Sequence, residues 1–267
     1  MSTIDCIAAS FQQARLEKRS AFVAYICGGD PSLEDSVKVA TTLLESGVDI
    51  LEIGVPFSDP LADGLTNQLA SQRALEAGMT HEKLFSLVRS IREKSNKPII
   101  LYIYYNLIFS QGIASYLRQC KDAGIDGILA LDCPPEEASE LLAASRAIGL
   151  ANVFIVAPTT PPERIKLITK EASGFIYYVS REGVTGERSD MVSNLAESVS
   201  AIKQHTSLPV VVGFGISTPQ QVTAVGKVAD GVVVGSALVN VVAANAKTPE
   251  KIPDELHKKM NFLLGKK

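Results

Sequence analysis

Cysteine is scarce in this chain and shows no paired short spacing. Cys6, Cys27, Cys120 and Cys133 lie far apart. That excludes a zinc knuckle or a redox pair and points to reduced, partly buried thiols. Histidine is scarcer still. His81, His205 and His257 all fall in segments that read as helix or helix end, where surface roles are expected, because imidazole chemistry needs a cleft and an orienting partner. No apolar run is long enough to span a bilayer, and "MSTIDCIAASFQQARLEKRS" lacks an apolar signal core followed by a cleavage site. A cytoplasmic protein is expected. A formal net charge of -3 offers no broad attraction to phosphate backbones or anionic lipid, so neither nucleic acid nor membrane is expected as the main partner.

Low-complexity tracts and Ser/Gly/Pro linkers are also missing. With 46% hydrophobic and 21% charged residues in 267, the chain can bury a large core and is expected to form one domain over residues 1–267. Eight short apolar runs alternate with segments of helical period: "FVAYI" (22–26), "DILEIG" (49–54), "PIILYIY" (98–104), "GILAL" (127–131), "VFIVA" (153–157), "FIYYV" (175–179), "PVVVG" (209–213) and "GVVVG" (231–235). Between the first two, Leu33, Val37, Ala40, Leu43 and Leu44 share a helical face, with Asp30-Pro31-Ser32 as its start and Gly47 as its stop. Further stops are expected at Gly78, Gly124, Gly149 and Gly174. Eight strand–helix units favour a closed (β/α)8 TIM barrel over an open doubly wound sheet. A helix before the first strand, with Ile4, Ile7, Phe11 and Leu16 on one side, is expected to cover the barrel floor.

Chemistry in such a barrel sits at the carboxyl ends of the strands. In "LEIGVPFSDPLADGLTNQ", from Leu51 to Gln68, strand period places Glu52 with Ile50 and Gly54 on one side and Leu51, Ile53 and Val55 on the other. If the apolar set packs against the helices, Glu52 points into the barrel, where an unpaired carboxylate is costly and the strand runs supply no cation. Desolvation raises the pKa of such a group and suits it to give and take a proton near neutrality. Asp63 lies in the loop "DPLADG", where Asp before Gly is also ordinary turn chemistry, and Asp59 before Pro60 reads as a turn. Farther on, "SREGVTGERSD" is a Gly-rich loop long enough for a lid, while "GFGIS" (213–217) and "GSALV" (235–239) end the seventh and eighth runs, the latter as the start of a short helix. Glycines and free N–H groups at those ends favour a phosphorylated ligand. Their spacing is not that of a dinucleotide fingerprint.

Together and in this order, "LEIGVPFSDPLADG", "SREGVTG", "GFGIS" and "GVVVGSA", with "FVAYICGGDP" and "ILYIYYNLIF", resemble the tryptophan synthase alpha family over essentially the whole chain. The resemblance implies retro-aldol cleavage of indole-3-glycerol phosphate to indole and glyceraldehyde 3-phosphate, without a metal or organic cofactor in this chain. It implies that Glu52 carries the proton and that Asp63 accepts the indole N–H. Gly186, Gly215, Gly235 and Ser236 would hold the phosphate, Thr185 in the lid would close against Asp63, and Tyr25, Leu129, Ile155, Tyr177 and Phe214 would wall the indole. It further implies a pyridoxal-phosphate (PLP) beta subunit as partner in an alpha2-beta2 complex.

The chain departs from the family at Leu65, where proline is usual, at Ala24, at Glu182, and at Tyr102 and Leu131, which are bulkier than expected beside the indole pocket. Those departures keep two other readings open: an alpha-like activator of a beta subunit with little lyase activity, and a lyase that works alone.

Overall fold

The computed structural model describes residues 3–180, 188–213 and 215–266, without the side chains of 3–5 and 188–193. Its strands are β1 (Ala21–Cys27), β2 (Ile50–Gly54), β3 (Ile99–Ile103), β4 (Gly127–Ala130), β5 (Ala151–Asn152), β6 (Phe154–Val156), β7 (Ile176–Val179), β8 (Val210–Gly213) and β9 (Gly231–Val234). The helices up to mid-chain are α1 (Thr3–Leu16), α2 (Leu33–Glu45), α3 (Leu65–Glu76), α4 (His81–Arg92), α5 (Tyr105–Phe109) and α6 (Ile113–Ala123). After them come α7 (Ser139–Ile148), α8 (Pro162–Glu171), α9 (Arg188–Lys203), α10 (Pro219–Gly226), α11 (Ser236–Ala244) and α12 (Ile252–Leu263).

All paired strands are parallel, in the order β5-β4-β3-β2-β1-β9-β8-β7-β6. The two ends of that order are one pass of the chain, parted only at Val153, so the sheet closes on itself as a (β/α)8 TIM barrel. The fifth pass begins at Ala151, two residues before the run legible in the sequence. Its first half bonds β4 and its second half bonds β7, as a short tilted strand in a closed barrel must.

Strand period divides the apolar residues into two sets. Leu51, Ile53 and Val55 join the layer between sheet and helices, whereas Ile50, Ile100, Leu129, Val153, Phe175, Val211 and Val233 fill the barrel. From α1, buried Ile7, Phe11 and Ala14 enter the inner set and close the floor, with the Phe11 ring edge-on to Phe175 at 5.8 Å. Leu16, expected on that face, is 71% exposed, because it lies at the last residue of the helix, past the barrel rim.

Three aspartates brace the floor side. Asp49, Asp126 and Asp230 each stand just before a strand and accept the backbone N–H of a neighbouring strand's residue, Phe22 at 2.7 Å, Ile99 at 2.9 Å and Val210 at 2.9 Å. Each also meets a cation: Arg19 for Asp49, Arg92 for Asp126, and Lys203 and Arg15 for Asp230. A carboxylate in that place satisfies a strand-end donor that the ladder leaves open.

The helix signals act largely as the sequence predicts. Ser32 caps α2 by accepting the Asp35 N–H at 3.1 Å, and Gly124 and Gly149 end α6 and α7 with φ of 98° and 71°, a left-handed turn that glycine adopts freely. Pro31 stands before the cap and not inside the helix. His81, expected at the surface, is half-buried, its Nδ1 3.1 Å from Tyr116 Oη, and burial lowers its pKa.

Candidate functional site

At the carboxyl end of β2 the strand period carries Glu52 into the barrel. It is wholly buried, neither carboxylate oxygen has a hydrogen-bond partner among the described residues, and desolvation lifts its pKa to about 8. Glu52 therefore holds a proton at neutral pH and can release it to a base or regain it.

Register fixes what surrounds it. Tyr25 on β1 pairs with Glu52, and Tyr102 on β3 pairs with Gly54. The Tyr25 hydroxyl occupies the space where a Cβ on Gly54 would stand, so this glycine is what lets the ring lie over the strand end. Tyr102 packs edge-on to Tyr25, with ring centres 4.9 Å apart. Tyr177 on β7 closes the collar, its hydroxyl against Gly213. Burial first, then neighbouring acidic groups including Glu52 and Asp63, pushes the phenols of Tyr25 and Tyr177 well above their ordinary range. They stay neutral, as does Tyr102 for the same leading cause.

Asp63 stands above this collar, in the turn between β2 and α3. Leu65 to Gln68, directly after "DPLADG", form the first turn of α3, started by the extended backbone of Gly64 (φ -73°, ψ 162°). Two tyrosines on one side of the third strand pass reach across to Asp63. Tyr102 Oη donates to Oδ1 at 2.9 Å and Tyr104 Oη to Oδ2 at 2.8 Å. Asn67 Nδ2 adds a longer contact to Oδ1 at 3.3 Å, and Tyr104 Oη also accepts the Ala62 N–H at 3.0 Å. Asp59 faces solvent and accepts only locally, from Ser58 Oγ at 2.6 Å and, through its carbonyl, from the Leu61 N–H at 2.9 Å, which is a turn role.

Among the other residues singled out in the sequence, Leu129 is fully buried in the barrel, with Ile155 and Tyr177 half-buried beside it. Leu131, partly buried, packs against the same inner set. Gly235 is the N-cap of α11 and Ser236 its first residue, so the short helix expected after the last strand is present and its leading N–H groups have no acceptor inside the helix. Gly215 has φ 69° and open space where a Cβ would stand. Strand end and helix start together form a place suited to an anion. Thr185, Gly186 and Phe214, and with them residues 181–187 of the loop expected to act as a lid, lie outside the described residues.

Sequence reading missed Tyr104 and Asn67, and it missed the clearance that Gly54 and Gly213 give to neighbouring rings. The i, i+2 spacing of Tyr102 and Tyr104 on a strand was a usable signal, since both had to face the same side. Among the described residues, no cluster of three His, Cys, Asp or Glu side chains is arranged to hold a metal ion, and no helix is long and apolar enough to cross a membrane.

A closed (β/α)8 barrel with a buried, protonated carboxyl group and a hydrogen-bonded carboxylate at its mouth, near a helix start suited to an anion, has the form of a TIM-barrel enzyme. The family model for the tryptophan synthase alpha chain matches residues 11–264. Similar curated proteins are the tryptophan synthase alpha chains of Opitutus terrae, 59% identical over 94% of both chains, and of Methanothermobacter thermautotrophicus, 45% identical over 94% of both. Among solved structures, a chain from the mutually activating tryptophan synthase a2b2 complex of Pyrococcus furiosus superposes with a TM-score of 0.86 at 37% identity, covering 92% of this chain and 99% of that one. A chain of ligand-free tryptophan synthase from M. tuberculosis does so at 0.84 and 31%, covering 95% and 98%. The chain belongs to the tryptophan synthase alpha chain family, lyases that cleave indole-3-glycerol phosphate to indole and glyceraldehyde 3-phosphate.

Proposed function

We propose that Glu52 and Asp63 carry this cleavage between them. The observation that bears most weight is the Glu52 carboxyl group, buried, without a hydrogen-bond partner among the described residues and lifted to a pKa of about 8 at the barrel mouth. Protonated Glu52 gives its proton to C3 of the indole. The ring nitrogen then carries positive charge, and Asp63 accepts its N–H and stabilises that charge. Glu52, now a carboxylate, takes the proton from the glycerol hydroxyl beside the scissile bond. The carbonyl of glyceraldehyde 3-phosphate forms, the carbon–carbon bond breaks, and its electron pair returns to the ring to give indole. One group serves as acid and then as base, so no metal is needed in this scheme.

The aromatic collar of Tyr25 and Tyr177, with Leu129 and Ile155, suits a flat indole. Gly215, Gly235 and Ser236 suit the phosphate, with Gly186 completing that cradle and Thr185 and Phe214 completing the site.

The partner we propose is a beta subunit holding its own PLP, in an alpha2-beta2 complex that receives the indole. Its support is the family and exposed apolar side chains after β2 and β3: Leu61 at 91%, Leu65 at 69% and Phe109 at 62% exposure. A cytoplasmic setting agrees with the buried thiols of Cys27, Cys120 and Cys133.

The test is release of indole from indole-3-glycerol phosphate by the protein alone and with a beta subunit, against Glu52→Gln. A positioned acid–base group contributes about 10²- to 10⁴-fold, and a loss of that size is expected. Release at the wild-type rate from Glu52→Gln would remove Glu52 from the reaction.

A further inference from the structure

Asp63 sits in a turn, and a turn by itself would not hold a carboxylate at fixed distance from a ligand. Its four lone-pair positions are unequally filled. Among the described residues, Oδ1 takes Tyr102 Oη at 2.9 Å and Asn67 Nδ2 at 3.3 Å, whereas Oδ2 takes Tyr104 Oη alone, at 2.8 Å. One acceptor position among these contacts therefore stays open, on Oδ2. Of the two tyrosines, Tyr104 also bonds the backbone of the turn through Ala62. Tyr102 does something different. It stands on β3 directly opposite Gly54, its ring is set by Tyr25 at 4.9 Å, and Tyr25 is in turn seated over Gly54.

From that chain of contacts we propose that Tyr102 is a positioning residue for the reaction: it fixes Asp63 by Oδ1 so that Oδ2 is the one acceptor left to the ring N–H of the substrate. The proposal rests on Asp63 being the acceptor of that N–H. Tyr102 thus couples the floor of the site, where Glu52 delivers the proton two residues before Gly54, to the loop that receives the developing charge. A hydroxyl on β3 serves here in place of loop rigidity, and the extra bulk at this position has a use.

The experiment compares two unreactive ligands, an indole bearing a propyl phosphate at C3 and the same molecule methylated on nitrogen, titrated calorimetrically into the full-length wild type, Tyr102→Phe and Asp63→Ala. Phenylalanine keeps the ring contact with Tyr25 and removes only the hydroxyl. A charge-assisted hydrogen bond supports an effect of about tenfold. Tyr102→Phe is expected to bind the N–H ligand about tenfold more weakly and the N-methyl ligand unchanged, with kcat reduced more than KM is raised. Equal weakening of both ligands, or no weakening of either, overturns the proposal. If Asp63→Ala erases the preference for the N–H ligand while Tyr102→Phe retains it in full, Tyr102 alone is dismissed. If Asp63→Ala retains it too, the role of Asp63 falls, and that of Tyr102 with it.

Discussion

The Tyr177 ring ends where a side chain on Gly213 would begin: a Cβ there would stand 2.6 Å from Tyr177 Oη and 2.9 Å from the Cβ of Val233. The collar around Glu52 is thus made by absent atoms as much as by present ones. Gly213→Ala should leave the protein folded, at a cost of about 1–3 kcal/mol for overpacking. Because Tyr177 must tilt, kcat/KM should fall roughly ten- to a hundredfold. Circular dichroism melts and initial rates check both; wild-type kinetics would show that the ring is free to move.

Glu52 makes stability depend on pH in an unusual direction. Its folded pKa of about 8 lies above its ordinary 4.5, so between those values the native state keeps a proton that the unfolded chain has lost. Stability from this group is whole below about pH 4.5 and declines as pH rises, until about 8. Each unit of difference is worth roughly 1.4 kcal/mol, so several kcal/mol are at stake. Urea melts from pH 5 to 8 should show the wild type losing stability relative to Glu52→Gln, and the wild-type kcat/KM should fall above about pH 8 as the proton is lost before substrate binds. Parallel stability profiles in the two proteins would contradict the burial argument.

On the opposite side of the barrel the same residue type has another purpose. Asp126 is buried, joins the Arg92 guanidinium and accepts the Ile99 N–H at 2.9 Å. Asp126→Ala leaves a backbone donor and a cation without that partner, a loss of roughly 3 kcal/mol. Chemical denaturation should report it. The kcat of the folded fraction should be unchanged, which separates floor carboxylates from mouth carboxylates.

Leu65 occupies the first residue of α3, after a Gly64 whose ψ of 162° already suits a following proline. Leu65→Pro should raise stability by about 0.4–1 kcal/mol through the unfolded chain. A melting temperature below wild type would mean that the exposed leucine itself makes contacts worth more than this entropy gain.

Much of this arrangement was legible beforehand because it follows from period. All eight strand passes, the inward turn of Glu52 and the helix at Ser236 come from alternation and capping, which are local. What escaped was non-local. Whether Tyr102 would crowd the pocket or turn outward depends on Asp63, thirty-nine residues away in sequence. The floor brace escaped for another reason: "VDI" at 48–50, "IDG" at 125–127 and "ADG" at 229–231 repeat only an aspartate in front of a strand, too little to stand out as a sequence repeat until three backbone donors are seen to converge on it. Likewise Gly54 reads as a strand residue and Gly213 as part of a strand end open to phosphate, and only the neighbouring rings reveal them as clearance.

Among the described residues, Ile7, Phe11 and Ala14 plug the floor of the barrel. Under the proposed mechanism, substrate would enter and both products would depart by the opening at the other end, past the same tyrosines, so that turnover would not run through the barrel like traffic down a street. Any protein that takes the indole without loss to solvent has to sit as a lid on that opening, and while seated there it also governs when the next substrate comes in.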